Sequence, residues 1–305
     1  MEELASLVEW RVAAAAAAPA AAPAPAAAAA SVGNILETAP ESAWAADEAL
    51  DAARREAGAA RVAEQGDVLS PFWVAKYERE SAKAWDKFYK RHADKAYKDR
   101  HYIDEAWAGA FAGERGLVVE VGCGCGNALF PVLEAHAGWR GVAVDFAASA
   151  IDLLKRRPDY DASRVDAFTC DVVTDALPVA DGGADVVVCL FVLSALSPET
   201  APGVVRKLRR ALRPGGHLLF RDYGRYDEAQ LRFAKGHRLG DNFYVKQDDT
   251  RCFYFDTADA RSLFADGWDQ VHLDFVCQQH ANRATKTRRR RVFIQGHFRK
   301  RCDGA

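Results

Sequence analysis

The residues with the clearest capacity for chemistry lie in one short segment, EVGCGCGN, Glu120 to Asn127. An apolar run, Leu117 to Val121, feeds it, and Gly122, Gly124 and Gly126 alternate within it. Glycine tolerates positive φ and has no Cβ to block a ligand, so such a loop presents free backbone N–H groups. The spacing is G-x-G-x-G, not the G-x-G-x-x-G of dinucleotide enzymes. A second apolar run, Val142 to Val144, ends in Asp145 and Phe146. A carboxylate at that place suits the two hydroxyls of a ribose. The combination fits S-adenosylmethionine, with a backbone cradle for the methionine end and an acid for the sugar. Glu120, Gly122, Gly124, Asn127, Asp145 and Phe146 are the candidate cofactor contacts on these two strands. A plain tight turn is the competing reading of the loop alone.

Further along, Asp171 follows a third strand, where its carboxylate would face the exocyclic amine of an adenine. A helix cap is the alternative role for an aspartate there. Phe191 to Ser194 follow a fourth strand and should border the transfer centre; Phe191 could equally be a core residue. RDYG, Arg221 to Gly224, ends a fifth strand. Polar residues at a strand's carboxyl end are seldom there for packing, so Arg221, Asp222 and Tyr223 are the candidate catalytic residues.

The elements that must position these groups alternate. Strands are expected at 117–121, 141–145, 167–171, 184–193 and 217–221, with helices at 127–137, 149–156 and 202–212. The run ADVVVCLFVL, Ala184 to Leu193, reads as a central parallel strand buried on both faces. Arg213-Pro214-Gly215-Gly216 should stop the preceding helix. Two late strands, 269–277 and 291–298, lack a helix between them and should pair antiparallel. The expected fold is therefore α/β: a seven-stranded, mostly parallel Rossmann-like sheet with an antiparallel last strand. Right-handed crossovers place the loop motifs at one edge of it.

Length and composition bound the rest. The chain has 305 residues, half of them hydrophobic, and a formal net charge of −2. That allows one large domain with appendages. Overall charge does not argue for nucleic acid, but its distribution does. The seven cysteines include no C-x-x-C pair, so no metal centre is expected and a reducing compartment is implied. No run of eighteen strongly apolar residues occurs, so no membrane span is expected. The Ala/Pro tract, Val12 to Ala30, reads as low-complexity tail, and residues 1–66 are expected to be disordered or weakly helical and to carry no site. Organelle transit peptides are Arg-rich and poor in acids, whereas Glu2, Glu3 and Glu9 precede a single Arg11, which favours a cytoplasmic location.

Three segments combine aromatics with cations. Residues 67–116 should form a helical lid: Trp85, Phe88 and Tyr89 fall on one helix face, with Lys83, Lys87, Lys90 and Arg91 around the other. An amphipathic helix with a solvated basic face is the competing reading. Residues 222–256 form a long insertion over the mouth of the site, with Arg232, Lys235, Arg238, Lys246 and Arg251 interleaved with aromatics, as stacking on bases and pairing with phosphates require. Residues 281–301 hold nine Lys/Arg and no acid, including Arg288, Arg289 and Arg290. That run is a candidate phosphate-binding patch, and a nuclear-localisation signal has the same composition. The catalytic domain proper should span 117–301.

Taken together, the motifs resemble those of the eukaryotic tRNA 3-methylcytidine methyltransferases. The resemblance covers about Phe72 to Lys300. It rests on KYERESAKAWDKFYKRH and AYKDRH in the lid, EVGCGCGN, CDVVTDAL, LFVLSALSP, RDYGRYDEAQLRF, LGDNFYVKQDDTRCFYF and RRVFIQGHFRK. It implies a class I methyltransferase fold and methylation of cytosine N3 at position thirty-two of the tRNA anticodon loop, with S-adenosylmethionine as cofactor. It also implies that Trp85, Tyr89, Gly122, Gly124, Asp145 and Asp171 hold the cofactor. Lys98, Asp99 and Arg100 would close the lid or contact RNA. Relatives often need a partner for tRNA choice, such as seryl-tRNA synthetase. Cys125 and the QDDT at 247–250 depart from the family's usual residues, and the Ala-rich leader has no counterpart.

The chemistry implied is simple in protons. Unpaired cytosine N3 has an in-plane lone pair that attacks the sulfonium methyl directly, so no general base is needed. The product is a cation. The site must align nucleophile and methyl, and offer negative charge where the ring becomes positive. Asp222 is the candidate for that charge, accepting from the N4 amine, and Tyr223, Phe243 or Tyr244 for stacking on the splayed base. A protein or small-molecule methyltransferase, and an inert partner subunit on the same fold, are the alternatives.

Overall fold

The computed structural model of the protein describes residues 48–93, 97–282 and 287–302, with side chains for 53–93, 97–278 and 290–302. The strands of the main sheet are β1 Gly116–Val121, β2 Trp139–Asp145, β3 Val165–Thr169, β4 Ala184–Leu190, β5 Leu212–Tyr223, β9 Trp268–Asn282 and β10 Thr287–Lys300. They lie in the order β3-β2-β1-β4-β5-β10-β9. β1 to β5 are mutually parallel, and β10 enters antiparallel between β5 and β9. The order reverses at β1, which pairs with both β2 and β4, so a crevice opens outside the carboxyl ends of these strands.

β1 is buried along its whole length, and its side chains alternate between two cores. Leu117, Val119 and Val121 join Val187, Leu218 and Phe220 on one face, under the Leu208 of one helix, Ala201–Ala211, and the Phe264 that follows another, Thr257–Leu263. Val118 joins Ala143, Val186 and Leu219 on the other, under Leu129 and Ile151. The alternation decides the facing of the polar residues too. Glu120 shares the face of Val118, and Asp222 that of Phe220.

The helices of the sheet are α5 Leu129–Ala135, α6 Ala148–Lys155, α7 Ala201–Ala211 and α9 Thr257–Leu263. Before the sheet come α1 Glu48–Ala63, α2 Pro71–Arg79, α3 Ser81–His92 and α4 Ile103–Ala106; α8 Glu228–Leu231 follows β5. Among the described residues the β3–β4 connection contains no helix.

Several boundaries differ from expectation. β4 stops at Leu190, because Phe191 takes a positive φ of 61° that a strand does not allow. Arg213 to Gly216 do end α7, but already inside β5, where Gly215 takes a φ of 72° and the register against β4 shifts between Ala184 and Val186. The 222–256 insertion has secondary structure of its own. It folds as a second sheet, β6 Arg238–Gly240, β7 Phe243–Val245 and β8 Arg251–Phe253. α2 lays Val74 and Tyr77 on Phe243 and Val245 of that sheet, so lid and insertion are one packed unit. Part of the stretch expected to be disordered or weakly helical is a helix packed into the fold. α1 packs on α8, and behind it Gln65 is buried, donating to the Gln230 carbonyl at 2.6 Å and accepting from the Tyr244 hydroxyl at 2.8 Å. The Ala/Pro tract lies outside the described residues.

Candidate active site

At the carboxyl ends of β1 to β4 lies a cavity of about 280 Å³. Its floor includes Gly122, the first residue of the glycine loop. Gly122 and Gly124 have φ of 62° and 53°. A Cβ on Gly122 would stand 2.4 Å from a Val192 methyl, and one on Gly124 2.6 Å from the Tyr89 hydroxyl. Both glycines are therefore required twice, by conformation and by space.

Asp145 fixes this loop. Its Oδ2 accepts the Gly124 N–H and its Oδ1 the Ala147 N–H, both at 2.9 Å. Burial pushes its carboxyl up to about 6, opposed by the two N–H bonds. Each oxygen keeps a second acceptor position, and the residue borders the cavity. Phe146 and Asp171 border it too. Asp171 Oδ1 accepts the Val173 N–H at 2.9 Å, so it is both a turn cap and a cavity residue.

The lid closes the opposite side. Trp85 and Tyr89 of α3 line the cavity, 6.1 Å apart between ring centroids. α3 is anchored to α6, where the Ser149 N–H donates to Asp86 Oδ1 at 3.3 Å and its hydroxyl to the Asp86 carbonyl at 3.2 Å. The buried Trp85 indole N–H has no hydrogen-bond partner among the described residues. An orphan donor on a cavity wall costs free energy until a ligand accepts from it. The glycine cradle, the doubly held carboxylate and this donor fit the methionine, ribose and polar edges of S-adenosylmethionine.

Two expected cofactor contacts stand behind the wall. Glu120 is buried, with Oε2 accepting the Leu129 N–H at 2.9 Å, and so supplies the first turn of α5 with a remote cap. Burial pushes it up to about 8, against the pull of Arg100. Asn127 Nδ2 donates to Asp99 Oδ1 at 2.8 Å, tying the end of the lid to the loop. Arg157 holds the same Asp99 at 3.1 Å.

On the cavity wall, at the end of β4, the strained Phe191 faces an aromatic cluster. Its ring lies 5.1 Å from Tyr223 and 5.5 Å from Phe293, with the Arg100 guanidinium 4.7 Å from its centroid. Lys246 places its ammonium 5.4 Å from the Tyr223 ring and 5.8 Å from that of Trp85. Tyr223 and Phe191 are thus brought together, with cations around them.

The other catalytic candidates are not on display. Asp222 is 0 % exposed. Its Oδ2 accepts the Ser194 N–H and its Oδ1 the Tyr223 N–H, each at 2.9 Å. It braces the turn after β4 because it shares the inward face of Phe220. Arg221 points to the other face and is buried, its guanidinium 4.8 Å from the Tyr102 ring and 5.1 Å from that of Phe293. Phe243 and Tyr244 are also unavailable for stacking on a base. Phe243 is in the contact between insertion and lid, and Tyr244 is 0 % exposed, stacked on Phe233 at 4.6 Å.

The cations expected on RNA are scattered. Lys98 and Arg232 are exposed, and Arg100 and Lys246 are half-buried near the cluster. Arg251 is buried on the cavity wall, paired with Glu78 of α2 and donating to the Ser81 hydroxyl at 3.5 Å. Burial alone lowers its guanidinium to about 10. It joins insertion to lid. The Arg290 N–H donates to Glu228 at 3.0 Å. Arg288 and Arg289 lie in β10 opposite Ala281 and His280 of β9, and their side chains lie outside those described. Sequence reasoning missed Glu78, Ser81, Ala195 and Leu196 as cavity residues. Glu78 and Ser81 lie within the lid motif, but nothing in their type marks them as lining.

Comparison with known proteins accords with this geometry. Residues 119–218 match the family described as a methyltransferase domain. Among solved structures, the chain is similar to a SAM-dependent methyltransferase from Anabaena variabilis (TM-score 0.53, 11% identity, covering 72% of this chain and 95% of that one). It is similar also to the Haloferax volcanii complex of the Trm112 methyltransferase activator with a methyltransferase (TM-score 0.52, 17% identity, 75% and 99%). These establish the fold. Relatives by sequence are nearer. The tRNA N(3)-cytidine methyltransferase METTL6 of Mus musculus is 39% identical over 241 residues, covering 76% of this chain and 86% of that protein. The tRNA N(3)-methylcytidine methyltransferase trm141 of Schizosaccharomyces pombe is 37% identical, over 76% and 97%. METTL2 of Danio rerio is 33% identical, over 82% of each chain. With identity of that order over three quarters or more of the chain, the chain belongs to the tRNA N(3)-cytidine methyltransferase family.

Proposed function

We propose that the protein transfers the methyl group of S-adenosylmethionine to N3 of a cytidine in tRNA, at position thirty-two of the anticodon loop. The observation that carries the reading is a single cavity. Its floor includes Gly122 and Asp145, its lid is Trp85 and Tyr89, and it ends at Phe191 beside the Tyr223–Lys246 cluster.

The cofactor supplies a methyl group on a positively charged sulfur. The chain's own residues do the rest by placement. Asp145 holds a ribose, the glycine loop holds the methionine end, and Trp85 and Tyr89 exclude water. Phe191 and Tyr223 offer a stacking wall for a base splayed from the loop. The N3 lone pair needs no base to deprotonate it, so the burial of Asp222 is no obstacle. Asp222 acts at one remove, by fixing the turn that presents Phe191 and the backbone of Tyr223. Its negative charge lies behind that wall, where the ring becomes cationic.

Choice among tRNAs by a partner such as seryl-tRNA synthetase belongs to the same reading and is supported by the resemblance of the motifs. Incubation with tritiated S-adenosylmethionine and either total tRNA or total protein from a cell lacking this activity tests the substrate class. Label entering tRNA, with or without added synthetase, is expected. Label confined to protein would overturn the reading.

A further inference from the structure

We infer that Lys207 of α7 is a positioning residue for the cofactor, clamping from behind the loop that forms the Asp171 side of the cavity. This rests on the cavity being the S-adenosylmethionine site.

The loop after β3 faces the cavity through Cys170, Asp171, Val172, Val173 and Thr174. A βα unit would normally continue here into a helix that satisfies its own carbonyls. None forms, so the turn's carbonyls need other donors, and those its own N–H groups do not reach need a donor from outside. The loop's N–H groups are used internally. Asp171 N donates to Asp175 Oδ2 and Val173 N to Asp171 Oδ1, both at 2.9 Å. Thr174 N and Asp175 N both donate to the Asp171 carbonyl, at 3.1 and 2.8 Å.

Three carbonyls then converge on one point, and the Lys207 ammonium occupies it. Its Nζ donates to Val172 O at 3.0 Å, Val173 O at 2.7 Å and Asp175 O at 2.7 Å. An ammonium has three donors, and all three are taken by backbone. A planar guanidinium spreads its donors over a fork and cannot reproduce that convergence.

The clamp holds apolar walls as well. Val172 and Val173 pack with Val204 and Leu208, the α7 neighbours of Lys207. The lysine therefore sets the height of the loop over α7, and with it the place of Asp171. It touches neither substrate nor reacting atoms.

Two measurements on the full chain test this. The first is hydrogen exchange of the ligand-free protein. Lys207→Met keeps the apolar stem and should raise exchange at amides 171–176 about tenfold, with β1 and β5 unchanged. The second is calorimetric titration with S-adenosylhomocysteine, whose Kd should rise roughly tenfold in Lys207→Met and by less in Lys207→Arg. In turnover, KM for S-adenosylmethionine should rise while kcat and KM for tRNA stay within about twofold. A general loosening of the fold would instead move kcat and exchange throughout the sheet. Unchanged loop exchange, or S-adenosylhomocysteine bound as tightly as by the wild type, would overturn the clamp. Should Lys207→Met fail to fold, Lys207→Arg carries both measurements. Wild-type protein that bound no S-adenosylhomocysteine would sink the cofactor reading alone, since the exchange experiment needs no ligand.

Discussion

Asp145 accepts the Gly124 N–H at 2.9 Å, so the residue that ends β2 also sets the loop that ends β1. One carboxylate thereby does two things, holding the cradle closed and offering its remaining lone pairs to the cavity. Any change at Asp145 should appear in cofactor binding before it appears in folding.

That relationship has a pH signature. Burial raises Asp145 to about 6 in the free protein. A ribose hydroxyl donating to it favours the ionised form, so cofactor binding takes up the ionised state and is lost as pH falls through 6. Titration with S-adenosylhomocysteine between pH 7.5 and 5 should show Kd weakening about tenfold per unit at the low end. A flat profile would mean that the carboxylate does not meet the ligand. The effect on folding has the opposite sign. A carboxyl raised above its unfolded value stabilises below that value and loses the contribution as pH rises through 6.

Gly124→Ala introduces a methyl 2.6 Å from the Tyr89 hydroxyl at a φ of 53°. The backbone strain costs about 1–2 kcal/mol. The clash pushes the lid tyrosine outward. The variant should fold and lose cofactor affinity by about a hundredfold, and combining it with Tyr89→Phe should restore part of the loss, as the hydroxyl is the colliding atom. Equal losses with and without Tyr89→Phe would contradict this geometry.

Asp222→Asn exchanges an acceptor for an NH₂ group facing the N–H of Ser194 or Tyr223. Leaving one of those buried donors unsatisfied costs about 1–3 kcal/mol of stability. Because the turn carries Phe191, kcat should fall by about ten- to a hundredfold with S-adenosylhomocysteine affinity within threefold of wild type. Near-normal turnover and melting temperature would show that the two hydrogen bonds matter to neither.

Away from the site, His217 Nδ1 and His297 Nε2 are 2.9 Å apart between β5 and β10. Burial and the neighbouring His217 lower His297 to about 4, and burial lowers His217 as well. Histidines depressed below their unfolded value stabilise the protein above about pH 6.5, and the contribution is lost as pH falls toward 4. Denaturant melts of wild type and His297→Gln should show the difference between them shrink by up to about 2 kcal/mol from pH 6.5 to 5. A difference independent of pH would contradict the pairing.

Much of this arrangement is legible in the sequence, for physical reasons. A parallel strand buried on both faces demands a continuous apolar run, so β1, β2 and β4 and the loops at their carboxyl ends follow from pattern alone, whereas β3, at the sheet edge and half-buried, runs 165–169 rather than the expected 167–171. Gly122, Gly124 and Asp145 are legible because backbone conformation and ligand chemistry both restrict those positions. Facing is harder. RDYG reads as a polar cluster, but strand alternation turns Asp222 into one core and Arg221 into the other, and only the register with neighbouring strands decides that. Phe243 and Tyr244 look like stacking residues until the insertion is seen to need its own core. Arg251 looks like a free cation until Glu78 is seen opposite it. Lys207 is one more basic residue on an amphipathic helix, and its role exists only because the loop before β4 lacks a helix.

The most direct test of the account is nucleoside mass spectrometry of a tRNA transcript after incubation with the protein and S-adenosylmethionine, with a seryl-tRNA synthetase added in parallel. The account predicts 3-methylcytidine in the anticodon loop, abolished when the cytidine at position thirty-two is replaced by uridine. Methylation at another atom of cytosine, or at any position that survives the replacement, would contradict it.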